Sequence, residues 1–285
     1  MIEVIRPGTQ LSLVDLGREG YRRYGVPLGG AMDQRSAMLA NSIVGNRIDS
    51  AVIEMYQPGH ILKFHESADI CLTGAIGNYE IDDQKLTMDQ VIRVERGSSL
   101  KIGVMDVGSR VYLGLRGSII CGQKLGSISA LPGYDRAYLK KGSQLLFESP
   151  SDHVDPTATL RREPIVLREQ IDCYKGPEFQ FLSEHMVDHI LSSRYVISPQ
   201  SNRMGYRLNG PQSGDYRHTP ILSSGVMPGT VQFLPIGLPL ILMRDGATTG
   251  GYPRILQIVS QDINRLAQMS PGYSIRFSLK DPMVS

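Results

Sequence analysis

The sequence predicts a mainly β protein, two β-barrels or sandwiches carrying a few short helices. Three observations predict it. Short runs of β-branched or alternating apolar residues recur along the chain, and they are punctuated by Gly, Pro, Asn or Asp. The 285 residues include 30 Gly and 17 Pro, a density of turn formers that suits many short strands. Only three segments carry a convincing helical period.

The strand-like runs of the first half are Ile2–Ile5, Ile61–Phe64, Asp69–Leu72, Val91–Val94, Leu100–Met105 and Arg110–Leu115. Asp82-Asp83, Arg96-Gly97-Ser98 and Val107-Gly108-Ser109 read as the turns between them. The second half repeats the style with Val231–Leu234, Leu240–Met243, Arg254–Val259 and Ser274–Leu279. Between the halves, a polar segment with three prolines lacks apolar periodicity, which divides the chain into a domain over 1–150, a linker over 151–164 and a second domain over 165–285. Of the helices, the first is expected after Asp33 as N-cap and ends at Gly45-Asn46. The second carries Phe179, Leu182, Met186 and Ile190 on one stripe to about Ser193, and the third runs from Gln261 to Met269 before Ser270-Pro271-Gly272.

Composition excludes several function classes. Thirty Lys and Arg against 28 Asp and Glu leave a formal charge of +2, which offers neither nucleic acid nor an acidic membrane a charged face. A 41% hydrophobic content is enough for a sizeable core and rules out intrinsic disorder. Cys71, Cys121 and Cys173 form no CxxC pair and are odd in number, so neither a disulfide framework nor a zinc site is expected. The first residues show no basic region followed by an apolar one, and the longest apolar stretch, 231–243, is broken by Pro and Gly. A cytoplasmic protein without membrane association is the expectation. Rossmann, P-loop and GxSxG motifs are all missing from the sequence. His185 and His189 have metal-ligand spacing, but no third ligand stands nearby and no metal is expected.

Three glycine-dense polar segments hold the candidate functional residues. Residues 15–33 place Arg18 and Asp33 in a tight loop, where glycine permits the close backbone approach and positive φ that a ligand-facing loop can use. Arg203 and Arg207 lie four apart; in a strand they would share a face and could grip a carboxylate or phosphate. The alternative is that they hold a turn together. In 243–253, Asp245, Thr248 and Thr249 combine with the backbone of Gly250 and Gly251 into a possible oxyanion nest, unless the segment is a glycine corner between strands.

These segments together resemble the biotin-dependent carboxyltransferase family, whose other name is allophanate hydrolase subunit 2. The resemblance rests on Arg6-Pro7-Gly8, Asp15 to Gly20, Gly25 to Asp33, Leu39 to Asn46, Glu54, Pro58-Gly59, Leu72 to Ala75, Tyr112 to Gly117, Ser201 to Pro211, Ser224 to Gln232 and Thr248 to Pro253. It implies two cyclophilin-like β-barrels. It also implies membership of an ATP-dependent 5-oxoprolinase-like complex that opens 5-oxoproline to glutamate, with this chain as its C-like component. Expected partners are an allophanate hydrolase subunit 1-like protein, which is the B-like component of 5-oxoprolinase, and the A-like component of the same enzyme. Two other activities occur within the family: antagonism of a kinase inhibitor without catalysis, and carboxyl transfer with biotin. No biotinylation motif surrounds any lysine, so biotin would have to be supplied in trans. Under this reading Arg203 and Arg207 hold the substrate carboxylate or a phosphorylated intermediate, while Asp245, Thr248 and Thr249 orient the amide. Gln232 and Tyr252 support them, Arg18 and Asp33 shape a loop, and no residue is identified as a nucleophile. Val14, Ile128, Asn202 and Ser224 depart from the family's more polar choices and remove hydrogen-bonding groups.

Overall fold

A computed structural model describes residues 1–131, 137–148, 150, 165–212 and 221–281. The chain divides into two compact units, one built from Met1–Arg18 with Gly29–Ile165 and the other from Glu19–Leu28 with Val166–Ser285. The second unit therefore takes in ten residues that precede most of the first in sequence. The linker expected over 151–164 lies outside the described residues.

The first unit contains β1 (Ile2–Pro7), β2 (Gln10–Val14), α1 (Gln34–Ile43), β3 (Val52–Tyr56), β4 (His60–Phe64), β5 (Ala68–Ile81), β6 (Gln84–Lys85), β7 (Ile92–Val94), β8 (Ser99–Leu115), β9 (Ser118–Ile120) and β10 (Gln144–Glu148). They form one sheet in the order β2-β3-β8-β4-β1-β10-β9, with β5 pairing β8 and also β6 and β7. The sheet curls into a half-barrel. Alternating residues of its strands, among them Val4, Leu13, Ile53, Leu62, Leu72 and Leu113, fill one apolar core.

The expected runs 100–105 and 110–115 are a single strand, β8. Register shifts against β5 between Gly74 and Tyr79 take up the irregularity, so Gly108, at φ +90°, bends the strand without ending its pairing. Helix α1 begins as expected: the Asp33 carboxylate accepts from Ser36 N–H at 3.1 Å and from Ser36 Oγ at 2.6 Å. Its end is tied down by Asn46, which donates to Leu115 O at 2.7 Å and accepts from Gly117 N–H at 2.9 Å.

A buried carboxylate holds the loop that leads into α1. Glu54, on β3 and 1% exposed, accepts from Met32 N–H and from Tyr112 Oη, both at 2.8 Å. The same phenol oxygen accepts from Asp33 N–H at 2.8 Å. Burial beside Glu54 pushes the Tyr112 phenol well above its ordinary pKa, so it stays protonated and remains a donor.

The second unit contains β11 (Gln170–Lys175), α2 (Glu184–Ser192), β12 (Tyr195–Ile197), β13 (Gly205–Asn209), β14 (Ser224–Gly225), β15 (Thr230–Phe233), β16 (Pro239–Leu242), β17 (Thr249–Gly250), β18 (Arg254–Ile258), α3 (Ser260–Ala267) and β19 (Ser274–Leu279). Seven strands close a barrel in the order β11-β18-β15-β16-β13-β12-β19, and β14 and β17 pair separately as a short ribbon. The stripe expected from Phe179 to Ser193 is not one helix. A 3₁₀ turn spans Phe179–Phe181, Leu182 is extended, and Ser183 caps α2 by accepting from Met186 N–H at 3.3 Å. Serine capping restarts the helix there, which leaves Phe181 69% exposed and only Met186 and Ile190 buried. Cys71 and Cys173 are buried free thiols, and burial pushes the Cys173 thiol up to about 12.

His60 is fully buried in the first unit, with Nε2 at 2.9 Å from Gln57 O and 3.2 Å from Tyr56 O, so the proton resides on Nε2. Burial lowers its pKa. Below about pH 6.5 the unfolded chain binds a proton that the folded chain refuses. Stability should therefore fall as pH drops from about 6.5 towards 5, and His60→Gln should flatten that slope in denaturant titrations; an unchanged slope would contradict this.

Candidate functional site

The site lies on the second unit, where the β14–β17 ribbon covers one patch of the barrel wall. On β15 and β18, Thr230 faces Gln257, Val231 faces Leu256 and Gln232 faces Arg254. Residues directly opposite on antiparallel strands share a face. Val231 and Leu256 therefore lie on the apolar face, while Thr230, Gln232, Arg254 and Gln257 form a polar layer on the other. Thr230 Oγ1 donates to Gln257 Oε1 at 2.9 Å within that layer.

Ribbon and layer meet at Gln232. The residue is 4% exposed, and its Nε2 donates to Tyr252 O at 3.1 Å. Gly250 of β17 lies directly over the amide, and a Cβ there would collide with Gln232 Nε2. Because Nε2 must face the Tyr252 carbonyl, the side chain is fixed with Oε1 free; among the described residues Oε1 accepts no hydrogen bond. A nearly buried amide thus presents one unpartnered acceptor beneath a glycine ribbon.

Arg254 locks this arrangement. Its guanidinium donates from Nε to Glu178 Oε2 at 2.9 Å, from Nη2 to Glu178 Oε1 at 2.6 Å and from Nη1 to Gly225 O at 2.8 Å. Its backbone N–H also donates to Glu178 Oε2 at 2.9 Å. Hydrogen bonding to Arg254 holds the Glu178 carboxyl below its ordinary pKa, so the pair stays ionised. Arg22, in the 3₁₀ turn Arg22–Tyr24, donates from Nη2 to the carbonyl just after β14, Val226 O.

The residues nominated from sequence separate into groups. Arg203 and Asp245 come together, but as partners of each other: Nε to Oδ2 at 2.8 Å and Nη2 to Oδ1 at 3.0 Å. Backbone bonds from Asp245 N–H to Arg203 O and from Met243 N–H to Met204 O, each 3.0 Å, bind the same two segments. This fork braces the start of the 243–253 loop, and Asp245 is engaged by Arg203. Arg203 precedes β13 and is buried, whereas Arg207 is exposed on the strand, so the shared face expected of a strand is not formed. Thr248 and Thr249 sit on the ribbon side, with Thr248 O accepting from Val226 N–H at 3.0 Å and Thr249 pairing with Gly225. Tyr252 is 38% exposed and enters the site through its backbone oxygen.

Arg18 and Asp33 belong to the first unit. Arg18 is 1% exposed, donating to Ser129 O and, at 3.3 Å, to Ala130 O. Asp15 gathers the same segment, accepting from Ser127 Oγ at 2.7 Å, Ser129 Oγ at 2.8 Å and Ile128 N–H at 2.9 Å. Ile128 itself packs in the core, which is why an aliphatic residue is accommodated there. His185 is exposed, and His189 Nε2 lies 3.4 Å from Pro211 O.

Sequence reasoning missed Glu178, Arg254 and Arg22. The available signal was a charged residue opening the strand Arg254–Ile258, with a glutamate in a Gly-Pro turn to receive it. It also missed a cleft of about 640 Å³ lined by Lys175, Pro177, Phe179, Leu182, Glu184 and Asp188.

Comparison with known proteins adds the following. The profile of the family described as carboxyltransferase domain, subdomain A and B, matches residues 24–279. The chain is 32% identical to the C subunit of 5-oxoprolinase from Haemophilus influenzae over 97% of its own length and 90% of that protein. The crystal structure of TTHA0988 superposes with a TM-score of 0.88 at 26% identity, covering 97% of this chain and 55% of that one. The K. lactis urea amidolyase gives 0.84 at 29% identity, with 97% of this chain covered and 18% of that one.

The Arg203–Asp245 fork has side chains 9% and 18% exposed, so removing one partner strands the other charge. Arg203→Met should cost about 3 kcal/mol in denaturant unfolding, and Arg203→Met with Asp245→Asn should cost less than the sum of the single changes. Strictly additive costs would show that the fork does not couple the two segments.

Proposed function

The chain belongs to the carboxyltransferase domain family of subdomains A and B, and on that premise we propose that it is the amide-recognising component of an ATP-dependent 5-oxoprolinase-like complex. The observation that carries the reading is Gln232, a nearly buried side-chain amide whose orientation leaves one acceptor free under the ribbon. A lactam offers what that acceptor lacks, a single N–H donor beside a carbonyl. The hydroxyls of Thr248 and Thr249, on the same loop, are the donors suited to the carbonyl.

The Arg203–Asp245 fork then has a bracing role, holding the loop that carries the threonines, and Arg207 is the guanidinium left exposed for the substrate carboxylate. Among the described residues, no side chain of the site has the base and orienting partner that a nucleophile requires. ATP enters as the co-substrate of the assembly. We place ATP on a partner, because the cleft of the second unit is lined by one ammonium, Lys175, together with the carboxylates Glu184 and Asp188, a set poorly suited to a triphosphate. Those partners are the B-like and A-like components of 5-oxoprolinase, and the complex works in the cytoplasm.

The similarity to a urea amidolyase favours a second reading in which the same acceptor binds urea and biotin arrives on another polypeptide. Reconstitution with the two partner proteins separates them. ATP-dependent release of glutamate from 5-oxoproline is expected, with Gln232→Leu lowering kcat/KM about 10- to 100-fold because a substrate N–H is left unpaired. Transfer of labelled carboxyl from carboxybiotin to urea, without ring opening, would replace the first reading with the second. Full activity in the Gln232→Leu complex would remove Gln232 from both.

A further inference from the structure

Two guanidinium groups from distant parts of the sequence bind consecutive carbonyls at the end of one short strand, β14. Arg254 takes Gly225 O and Arg22 takes Val226 O. Between them they engage the segment that pairs, through Ser224 and Gly225, with Gly250 and Thr249. Gly250 in turn is the residue that lies over Gln232. The ribbon has two residues in each strand, too few to hold a register by its own ladder. Its position over Gln232 has to be imposed from outside, and among the described residues Arg22 and Arg254 are the charged groups that reach it.

We infer that Arg22 and Arg254 form a clamp that sets the ribbon as a flap over the amide-recognising acceptor, making both of them positioning residues for substrate binding. The inference deepens the proposed function and rests on it for the identity of the ligand.

Each half of the clamp is itself anchored differently. Arg254 is braced by a bidentate bond to Glu178, whose turn is fixed to β18 by Gly176 N–H donating to Ile255 O at 2.9 Å and Glu178 N–H donating to Arg254 O at 3.2 Å. That half is rigid. Arg22 lies in a 3₁₀ turn without a side-chain cap, its Nη1 is buried and finds no partner among the described residues, and burial lowers its pKa. An unsatisfied buried donor is costly, so the Arg22 half is the one that lets go first when the flap opens. Opening would also uncover the Oε1 of the nearly buried Gln232 to a ligand entering past the exposed Thr249. Closing over a bound amide regains the Val226 contact.

Hydrogen–deuterium exchange on the full chain tests the clamp without reference to any reaction. In Arg22→Met, peptides covering 221–227 and 247–252 should exchange about tenfold faster or more, while β12 and β19 keep wild-type protection. Glu178→Gln, which leaves Arg254 in place but removes the charge that aims it, should loosen the same peptides. In the complex assembled with both partner proteins, Arg22→Met should raise KM for 5-oxoproline about tenfold with kcat nearly unchanged. Wild-type exchange at both peptides in both variants would overturn the clamp. Faster exchange throughout the barrel would overturn it as well, since the arginines would then be general stabilisers. Local loosening in a complex that does not open 5-oxoproline would keep the clamp and remove the substrate assignment.

Discussion

The fork of Arg254 on Glu178 is the interaction on which the arrangement of the second unit's surface depends. It ties the start of a barrel strand to the Gly-Pro turn after β11, and its remaining Nη1 reaches the ribbon at Gly225. A bidentate guanidinium–carboxylate pair fixes both distance and orientation, which a single lysine could not do. With side chains 19% and 12% exposed, the pair is shielded enough to be an organising contact beyond the usual worth of a surface ion pair. Gln232 is directly across the ladder from Arg254, so the group that positions the ribbon and the group that the ribbon covers are neighbours on one face.

The first unit applies the same device in another place. Glu54 supplies one buried carboxylate to Met32 N–H and the Tyr112 phenol, and the phenol passes the constraint to Asp33, whose own carboxylate caps α1. Asp15 does likewise for 127–129. In each unit a charged group with several hydrogen bonds holds a glycine-bearing loop. Gly30, at φ +87°, shows why glycine is needed in such a loop: a Cβ would come within 2.7 Å of Gly17 N.

Much of the fold was legible because period and punctuation are local properties. The mainly β class, the Asp33 cap and the edges of β18 and β19 follow from a few adjacent residues each. Two failures have a common cause. Gly108 reads as a turn, and whether it breaks or only bends a strand depends on β5 alongside it. The Phe179 to Ile190 stripe has helical spacing, but Ser183 interrupts it by capping the following turn. The site was partly legible. Gln232, Thr248 and Thr249 were nominated and lie in or beside it, whereas Glu178, Arg254 and Arg22 were not. Their roles arise from pairings 76 and 204 residues apart in sequence, so a local pattern can mark the charges but not their partners. The same limit explains Arg203 and Arg207. Four-residue spacing suggested a shared face, and only the contact with Asp245 reveals that one of them is already engaged.

The central claim is that the free Oε1 of Gln232 receives the N–H of an amide substrate beneath the ribbon. A crystal structure of the chain assembled with its partner proteins and 5-oxoproline tests it most directly. The lactam nitrogen is expected about 2.9 Å from Gln232 Oε1, with the Gly250 backbone closed over the ring. A lactam bound in an active complex away from Gln232, with Oε1 still unpartnered, would contradict the account.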